Sequence, residues 1–321
     1  MSGQSCSAKM TSQNHEHTAW CESKIGDQTG RTFIITGATN GIGFEAADAL
    51  AEHGASVILA SRSEEKTKEC ADKLKAKHGN QNIFSEKLDL SSLKSVRECA
   101  ERIRPLHKSI DVLINNAGVM VPPYTVTEDG FELQFGTNHL GHFLFTGLLL
   151  ENLMANAGSR VVTLSSTAHL RGKINFDDLQ SKKKYIANLA YAQSKIANLL
   201  FAYELQRRLD KANSRTISVA AHPGWSRTGL QVYAVTKTWV RTLFAMFEPI
   251  FSQDARAGAQ PMLMAATDKL VCGGEYFGPE GFGGSKGNAA RVDSNALSHD
   301  VELQKKLWTV SEELTGLRYP V

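Results

Sequence analysis

Tyr191 and Lys195 stand four residues apart in the stretch AYAQSKIANLL, Ala190–Leu200. On a helix that spacing puts both side chains on one face, a turn apart. An unperturbed tyrosine has a pKa of about 10 and is a poor base near neutrality. A neighbouring ammonium favours the phenolate and lowers that value, so the pair has the makings of a proton donor and acceptor. Helical Tyr/Lys pairs also occur on solvated faces, and the meaning of this one depends on its company.

A second chemical element lies upstream in TGATNGIG, Thr36–Gly43. Glycines between a strand and a helix let the backbone turn tightly and approach a pyrophosphate, and the helix N-terminus adds free N–H groups and a positive dipole end. The spacing is G-x-x-x-G-x-G rather than the general G-x-G-x-x-G. Candidate contacts are Gly37, Thr39, Asn40, Gly41, Ile42 and Gly43. The next apolar run, Val57–Ala60, leads into Ser61 and Arg62. An acid there would bind the ribose hydroxyls of NAD, whereas an arginine accommodates a 2′-phosphate. NADP(H) is therefore the expected cofactor, with NAD(H) the other possibility. The absence of an acid also disfavours a methyltransferase.

Asp89 and Leu90, in KLDL, are candidates for the adenine end. Asp89 could equally cap the next helix, with Ser91 and Ser92 as competitors. Asn116, Ala117 and Gly118 could line the cofactor's ribose or hold a turn.

The elements that must position these residues alternate. Strand-like runs fall at Arg31–Gly37, Ser56–Ala60, Ile83–Leu88, Val112–Asn115, Arg160–Ser165, Thr216–Ala221 and Gly274–Phe277. Helical patterns fall between them at Ile42–His53, Glu64–His78, Leu93–Ile103, Gly130–Leu150, Leu189–Leu209 and Ala255–Thr267. Continuous apolar strands alternating with helices predict an α/β fold, a doubly wound parallel sheet of about seven strands with helices on both faces. Residues 1–27 read as a polar, mobile tail and 28–321 as one domain. The aromatic-rich segment 230–252 breaks the rhythm.

The bulk properties exclude several classes. The net charge is +3, from 36 basic and 33 acidic residues with no basic block, so nucleic acid is not an expected partner. The five cysteines are odd in number and lack a CxxC spacing, which predicts neither a disulfide framework nor a zinc site. His139, His142, His169 and His222 have no companion Cys or acid cluster, so no metal is expected, and packing or cofactor-loop support is the anticipated role. The polar N-terminus carries no apolar signal, and no run reaches the roughly 18 apolar residues of a membrane helix. A cytoplasmic protein without membrane association is expected.

Together TGATNGIG, NNAG, Asn138, Ser166, Tyr191-x-x-x-Lys195 and HPG at His222–Gly224 resemble the short-chain dehydrogenases/reductases in order and spacing. TNHLGHFLFT at Thr137–Thr146, LSSTAH at Leu164–His169 and LWTVSEELTG near the C-terminus resemble the retinol dehydrogenase and protochlorophyllide-reductase-like branch. The resemblance implies a Rossmann fold and an oxidoreductase acting on CH–OH donors. It makes Tyr191 the general acid/base, with Lys195 lowering its pKa and holding the nicotinamide ribose. Ser166 would polarise the substrate oxygen, and Asn138 would place a relay water. Pro223 and Gly224 would wall the nicotinamide, and Thr228 would meet its carboxamide. Ser165 competes with Ser166, and strand alternation lets only one point into the site.

Segment 230–252, with Tyr233, Trp239, Phe244, Phe247 and Phe251, resembles a substrate lid suited to a bulky lipophilic molecule. Packing on a sheet edge, a dimer face and a membrane surface are the other uses of such a segment. The expected activity is NADP(H)-dependent carbonyl/alcohol interconversion on a lipophilic small molecule. The alternative is a catalytically silent dinucleotide-binding sensor or scaffold. A homodimer or homotetramer is the oligomer the family suggests.

Overall fold

The computed structural model describes residues 19–224 and 254–321. Thr228, segment 230–252 and residues 1–18 of the expected tail lie outside the described residues.

The first half runs β1 (Thr32–Thr36), α1 (Gly41–Glu52), β2 (Ser56–Ser61), α2 (Glu64–His78), β3 (Ile83–Lys87), α3 (Leu93–Leu106) and β4 (Val112–Asn115). Next come the short α4 (Leu133–Phe135), a π turn (Gly136–Leu140), α5 (Gly141–Met154), β5 (Arg160–Leu164), α6 (Ala187–Lys211) and β6 (Ile217–Ala221). After the undescribed segment follow α7 (Ala255–Thr267), β7 (Tyr276–Pro279), β8 (Ala289–Arg291) and α8 (Val301–Thr315). The strands form one eight-stranded sheet in the order β3-β2-β1-β4-β5-β6-β7-β8. All pairings are parallel except β7 with β8.

Period-2 alternation sends β1 side chains to opposite layers. Phe33 and Ile35 pack with Ala46 and Leu50 of α1 and Met262 of α7. Ile34 packs on the other side with Val96 of α3 and Phe143 of α5. Both faces of the sheet are therefore covered, as the doubly wound reading requires.

Three details depart from the sequence reading. The sheet has one strand more than expected: β8 is a three-residue antiparallel edge, too short for alternation to show. The long helix starts at Leu133 rather than near Gly130 and is interrupted by the π turn. Its start is set by Glu132, whose carboxylate accepts from the N–H groups of Gln134 and Phe135 at 2.9 and 2.8 Å. Packed structure also begins inside the stretch read as a tail. Trp20 is buried and bridges to Ala289, and Glu22 pairs with Arg256 of α7.

The C-terminal α8 braces the helices that carry the site. Trp308 lies 5.1 Å from the ring of Phe143 on α5 and 5.8 Å from Phe201 on α6, and Tyr319 closes the cluster at 4.5 Å from Trp308. Among the described residues no helix is long and apolar enough to cross a membrane.

Candidate active site

The strand order reverses between β1 and β4, and the crevice beyond their carboxyl ends is where doubly wound sheets bind ligands. Thr36, at the end of β1, ties the two strand ends together. Its Oγ1 accepts from the N–H groups of Asn116 and Ala117, both at 2.9 Å. Asn116 Nδ2 donates back to the Thr36 carbonyl at 2.8 Å. The two loops touch so closely that side chains are excluded. A Cβ on Gly37, whose φ is +68°, would lie 2.9 Å from Ala117 Cα, and one on Gly43 would lie 2.4 Å from Asn116 Nδ2.

Asn40 is the N-cap residue of α1 but makes no side-chain cap bond. The first N–H groups of the helix, around Gly41, Ile42 and Gly43, thus keep the dipole end available for an anion. Thr39 sits half-buried beside them, its carbonyl 3.5 Å from Cys70 Sγ. Ser61 supports this loop from β2: its buried Oγ accepts from Ala38 N–H at 3.1 Å. Arg62 is exposed, and no hydrogen bond or ion pair holds it among the described residues.

The two adenine-end candidates behave differently. Asp89 accepts from the N–H and hydroxyl of Ser91 at 2.9 and 2.6 Å, while Ser92 caps α3. Asp89 thus holds a local turn through Oδ1 and is not the helix cap. The Leu90 side chain is only 5% exposed and belongs to the core under α3 and α5, and its carbonyl packs against Gly141 of α5.

The four catalytic candidates converge. Lys195 is buried, and its Nζ lies 5.6 Å from the Tyr191 ring centroid while donating to the Leu164 carbonyl at 3.2 Å. Asn198, one turn further along α6, donates to the same carbonyl at 2.9 Å. Ser165 is turned away: its buried hydroxyl donates to the Lys195 carbonyl at 2.8 Å and pins β5 to α6. Ser166 is the serine whose side chain acts on Tyr191, favouring its phenolate, while its Oγ also accepts from Ala168 N–H at 3.2 Å. Gly118 closes the group, since a Cβ there would lie 3.1 Å from Asn138 Oδ1 and 3.6 Å from Lys195 Nζ.

Asn138 sits in the π turn with both amide N–H groups used. Its Nδ2 donates to Val119 O at 3.0 Å and Ser194 Oγ at 2.9 Å, and its Oδ1 accepts from Val119 N–H at 2.8 Å. The side chain clamps the loop after β4, and Ser194 is a supporting residue the sequence reading did not pick. Its position, one residue before Lys195, was the available signal.

Burial dominates the electrostatics. It pushes the Tyr191 phenol up to about 12, with the Ser166 hydrogen bond pulling the other way, and pushes the Lys195 ammonium down to about 8. Lys195 therefore does not hold Tyr191 below its ordinary value here. Its charge is itself desolvated, and its Nζ is engaged by the Leu164 carbonyl.

Near the other wall, Gly224 takes a φ of +66°, a Cβ there would lie 2.4 Å from Ser285 O, and its N–H donates to His222 Nδ1 at 3.2 Å. Pro223 precedes it in the same turn. His139 Nε2 is hydrogen-bonded to Ser311 Oγ of α8 at 2.8 Å, and among the described residues no group of three or more His, Cys, Asp or Glu is placed to hold a metal.

The Ser166 loop rests on α6 through Gly172, where a Cβ would lie 2.5 Å from Ala192 O and 2.8 Å from Ile196 Cγ2. Gly172→Ala should force the loop off the helix, cost about 1–3 kcal/mol and reduce turnover with it. A thermal melt beside a steady-state assay checks this, and an unchanged melting point would contradict it.

The family model for short chain dehydrogenase matches residues 31–238. The chain belongs to that family. Retinol dehydrogenase 12 of Mus musculus is 42% identical over 294 residues, covering 90% of this chain and 88% of the relative. Retinol dehydrogenase 11 of Homo sapiens is 43% identical over 290 residues, covering 90% of this chain and 86% of the relative. A solved structure of an uncharacterised protein from Mycobacterium paratuberculosis superposes with a TM-score of 0.79 at 39% identity, covering 95% of this chain and all of the other. This short-chain dehydrogenase is thus a Rossmann-fold oxidoreductase of CH–OH donors, retinol dehydrogenase-like in sequence.

Proposed function

We propose that the chain is an NADP(H)-dependent enzyme interconverting a carbonyl and an alcohol on a lipophilic small molecule, with Tyr191 as the proton donor and acceptor. The observation that carries this reading is the meeting of Tyr191 with Ser166 and Lys195 beside Gly118, on the crevice edge of the Gly37–Gly43 loop.

The residues present fit a dinucleotide. The α1 N-terminus, free of a side-chain cap, suits the pyrophosphate, and Asn116 Oδ1 is a buried acceptor without a partner at the ribose level. Arg62, exposed at the end of β2, suits a 2′-phosphate. When bound, the cofactor supplies or accepts the hydride at its nicotinamide ring.

The protein's own part is proton handling and positioning. During reduction Tyr191 gives its proton to the substrate oxygen, and Ser166 donates a hydrogen bond to the same atom as negative charge develops there. A phenol held near 12 stays protonated at neutral pH, which suits the donor role. In the reverse direction it must first lose the proton, a step the Ser166 side chain favours. Both N–H groups of the Asn138 amide are committed to Val119 and Ser194, which fixes the side chain beside Gly118.

The lipophilic substrate class is supported by the relatives named above, which are retinol dehydrogenases.

Lys195 gives the reading a pH signature. Its pKa is lowered to about 8, so the cation is present below that pH and lost above it. NADPH affinity should therefore weaken as pH rises through about 8, and Lys195→Met should abolish that step. A titration of bound-cofactor fluorescence against pH tests this. A step that survives in Lys195→Met would assign it to another group.

A further inference from the structure

We infer that His142 is a two-armed positioning residue, holding the catalytic π turn with one ring nitrogen and the cofactor-loop strand with the other. The inference rests on the reading just given.

His142 lies in the first turn of α5 and is 1% exposed. Its Nδ1 is 3.0 Å from the main-chain carbonyl of Asn138, and its Nε2 is 2.8 Å from Thr36 Oγ1. A carbonyl can only accept, so Nδ1 carries the proton. Burial keeps the ring neutral, with the pKa pushed down to about 4. Nε2 is then a lone pair, and the Thr36 hydroxyl donates to it. The same hydroxyl accepts from the N–H groups of Asn116 and Ala117.

One directed chain results. It runs from the Asn116 and Ala117 N–H groups to Thr36 Oγ1, from that hydroxyl to His142, and from His142 Nδ1–H to the carbonyl of Asn138. Each donor polarises the next, and every polar atom on the path is satisfied. The chain joins the end of β1 to the π turn carrying Asn138, adding to the bonds by which Asn116 holds Thr36 and Asn138 holds the loop after β4. A packing role alone would be served by an apolar side chain, because burying an imidazole is unfavourable unless both nitrogens are bonded.

The arms can be cut separately. An asparagine amide reaches only the Nδ1 position, so His142→Asn keeps the Asn138 arm and loses Thr36. A glutamine amide reaches the Nε2 position, so His142→Gln keeps Thr36 and loses Asn138. Loss of one hydrogen bond of ordinary strength corresponds to roughly a tenfold effect. His142→Asn should keep kcat within about threefold and weaken NADPH binding about tenfold, while His142→Gln should do the reverse. Thr36→Val cuts the cofactor arm from its other end and should reproduce the His142→Asn pattern, which keeps the test open if a histidine variant fails to fold.

The measurement is kcat and NADPH Kd for the set, with Tyr191→Phe alongside. Opposite splits for the Asn and Gln variants support two arms. Matching behaviour of the two, or a Thr36→Val that loses kcat and keeps affinity, overturns the inference. If Tyr191→Phe keeps turnover, the underlying catalytic reading has failed instead, and the two failures are told apart by that variant.

Discussion

Tyr191→Phe is expected to lower kcat about a thousandfold while leaving NADPH affinity within about threefold, because a positioned general acid contributes roughly 10²–10⁴. The substitution removes one oxygen and keeps the ring on which Lys195 rests, 5.6 Å from its centroid. The cofactor loop, from Gly37 to Gly43, lies on β1 and α1 and does not depend on that oxygen. What is lost is the proton for the substrate oxygen and the partner of the Ser166 hydroxyl. Ser166 can still donate a hydrogen bond, which leaves a residual rate above background. Steady-state kinetics and a cofactor titration on the same preparation separate the two quantities. Turnover within tenfold of wild type would remove Tyr191 from the chemistry.

The second large effect is on cofactor choice. Arg62 is exposed and uncommitted at the end of β2, next to Ser61, which is fixed by Ala38 N–H. Arg62→Asp removes a charge-assisted contact to a 2′-phosphate, places a like charge there, and offers an acceptor to ribose hydroxyls. The NADPH/NADH ratio of kcat/KM should fall about a hundredfold or more, since each charge-assisted bond is worth about 1.5–3 kcal/mol. Stability should be nearly unchanged, because the side chain is exposed and makes no contact to lose. Kinetics with both cofactors check this. An unmoved ratio would mean that another group reads the phosphate.

Much of the site was legible because its signals are local. The Tyr191/Lys195 spacing, the glycines before α1 and the amide-rich end of β4 are short patterns with one backbone solution each. The choice of Ser166 over Ser165 followed from the family resemblance, with strand alternation requiring only that one of them point away, and the structure turns Ser165 toward the Lys195 carbonyl. What was not legible depends on tertiary contacts. GTNHL contains no helix breaker, yet Gly136–Leu140 winds as a π turn. That turn sets Asn138 against Val119, a partner 19 positions earlier in the chain. The Tyr191 and Lys195 shifts come from burial, which a four-residue spacing does not report. Leu90 looked like a cofactor contact by position, but its side chain belongs to the core.

One element could have been found and was not. Asp300 caps α8 by accepting from Glu302 and Leu303 N–H, and Gly316 ends it in the left-handed region at φ 65°. An acidic cap at one end and a glycine at the other are a sequence-readable helix signature. The helix matters to the site because Trp308 packs against Phe143 and Phe201, on the two helices that carry His142 and Tyr191.

The most direct test of the central claim follows the hydride. NADPH deuterated at the transferring position of the nicotinamide is incubated with the enzyme and a lipophilic aldehyde, and the alcohol product is analysed by mass spectrometry. The account predicts one deuterium on the carbinol carbon with wild-type enzyme and almost no product with Tyr191→Phe. Equal product from both proteins, or an alcohol that carries no deuterium, would contradict it.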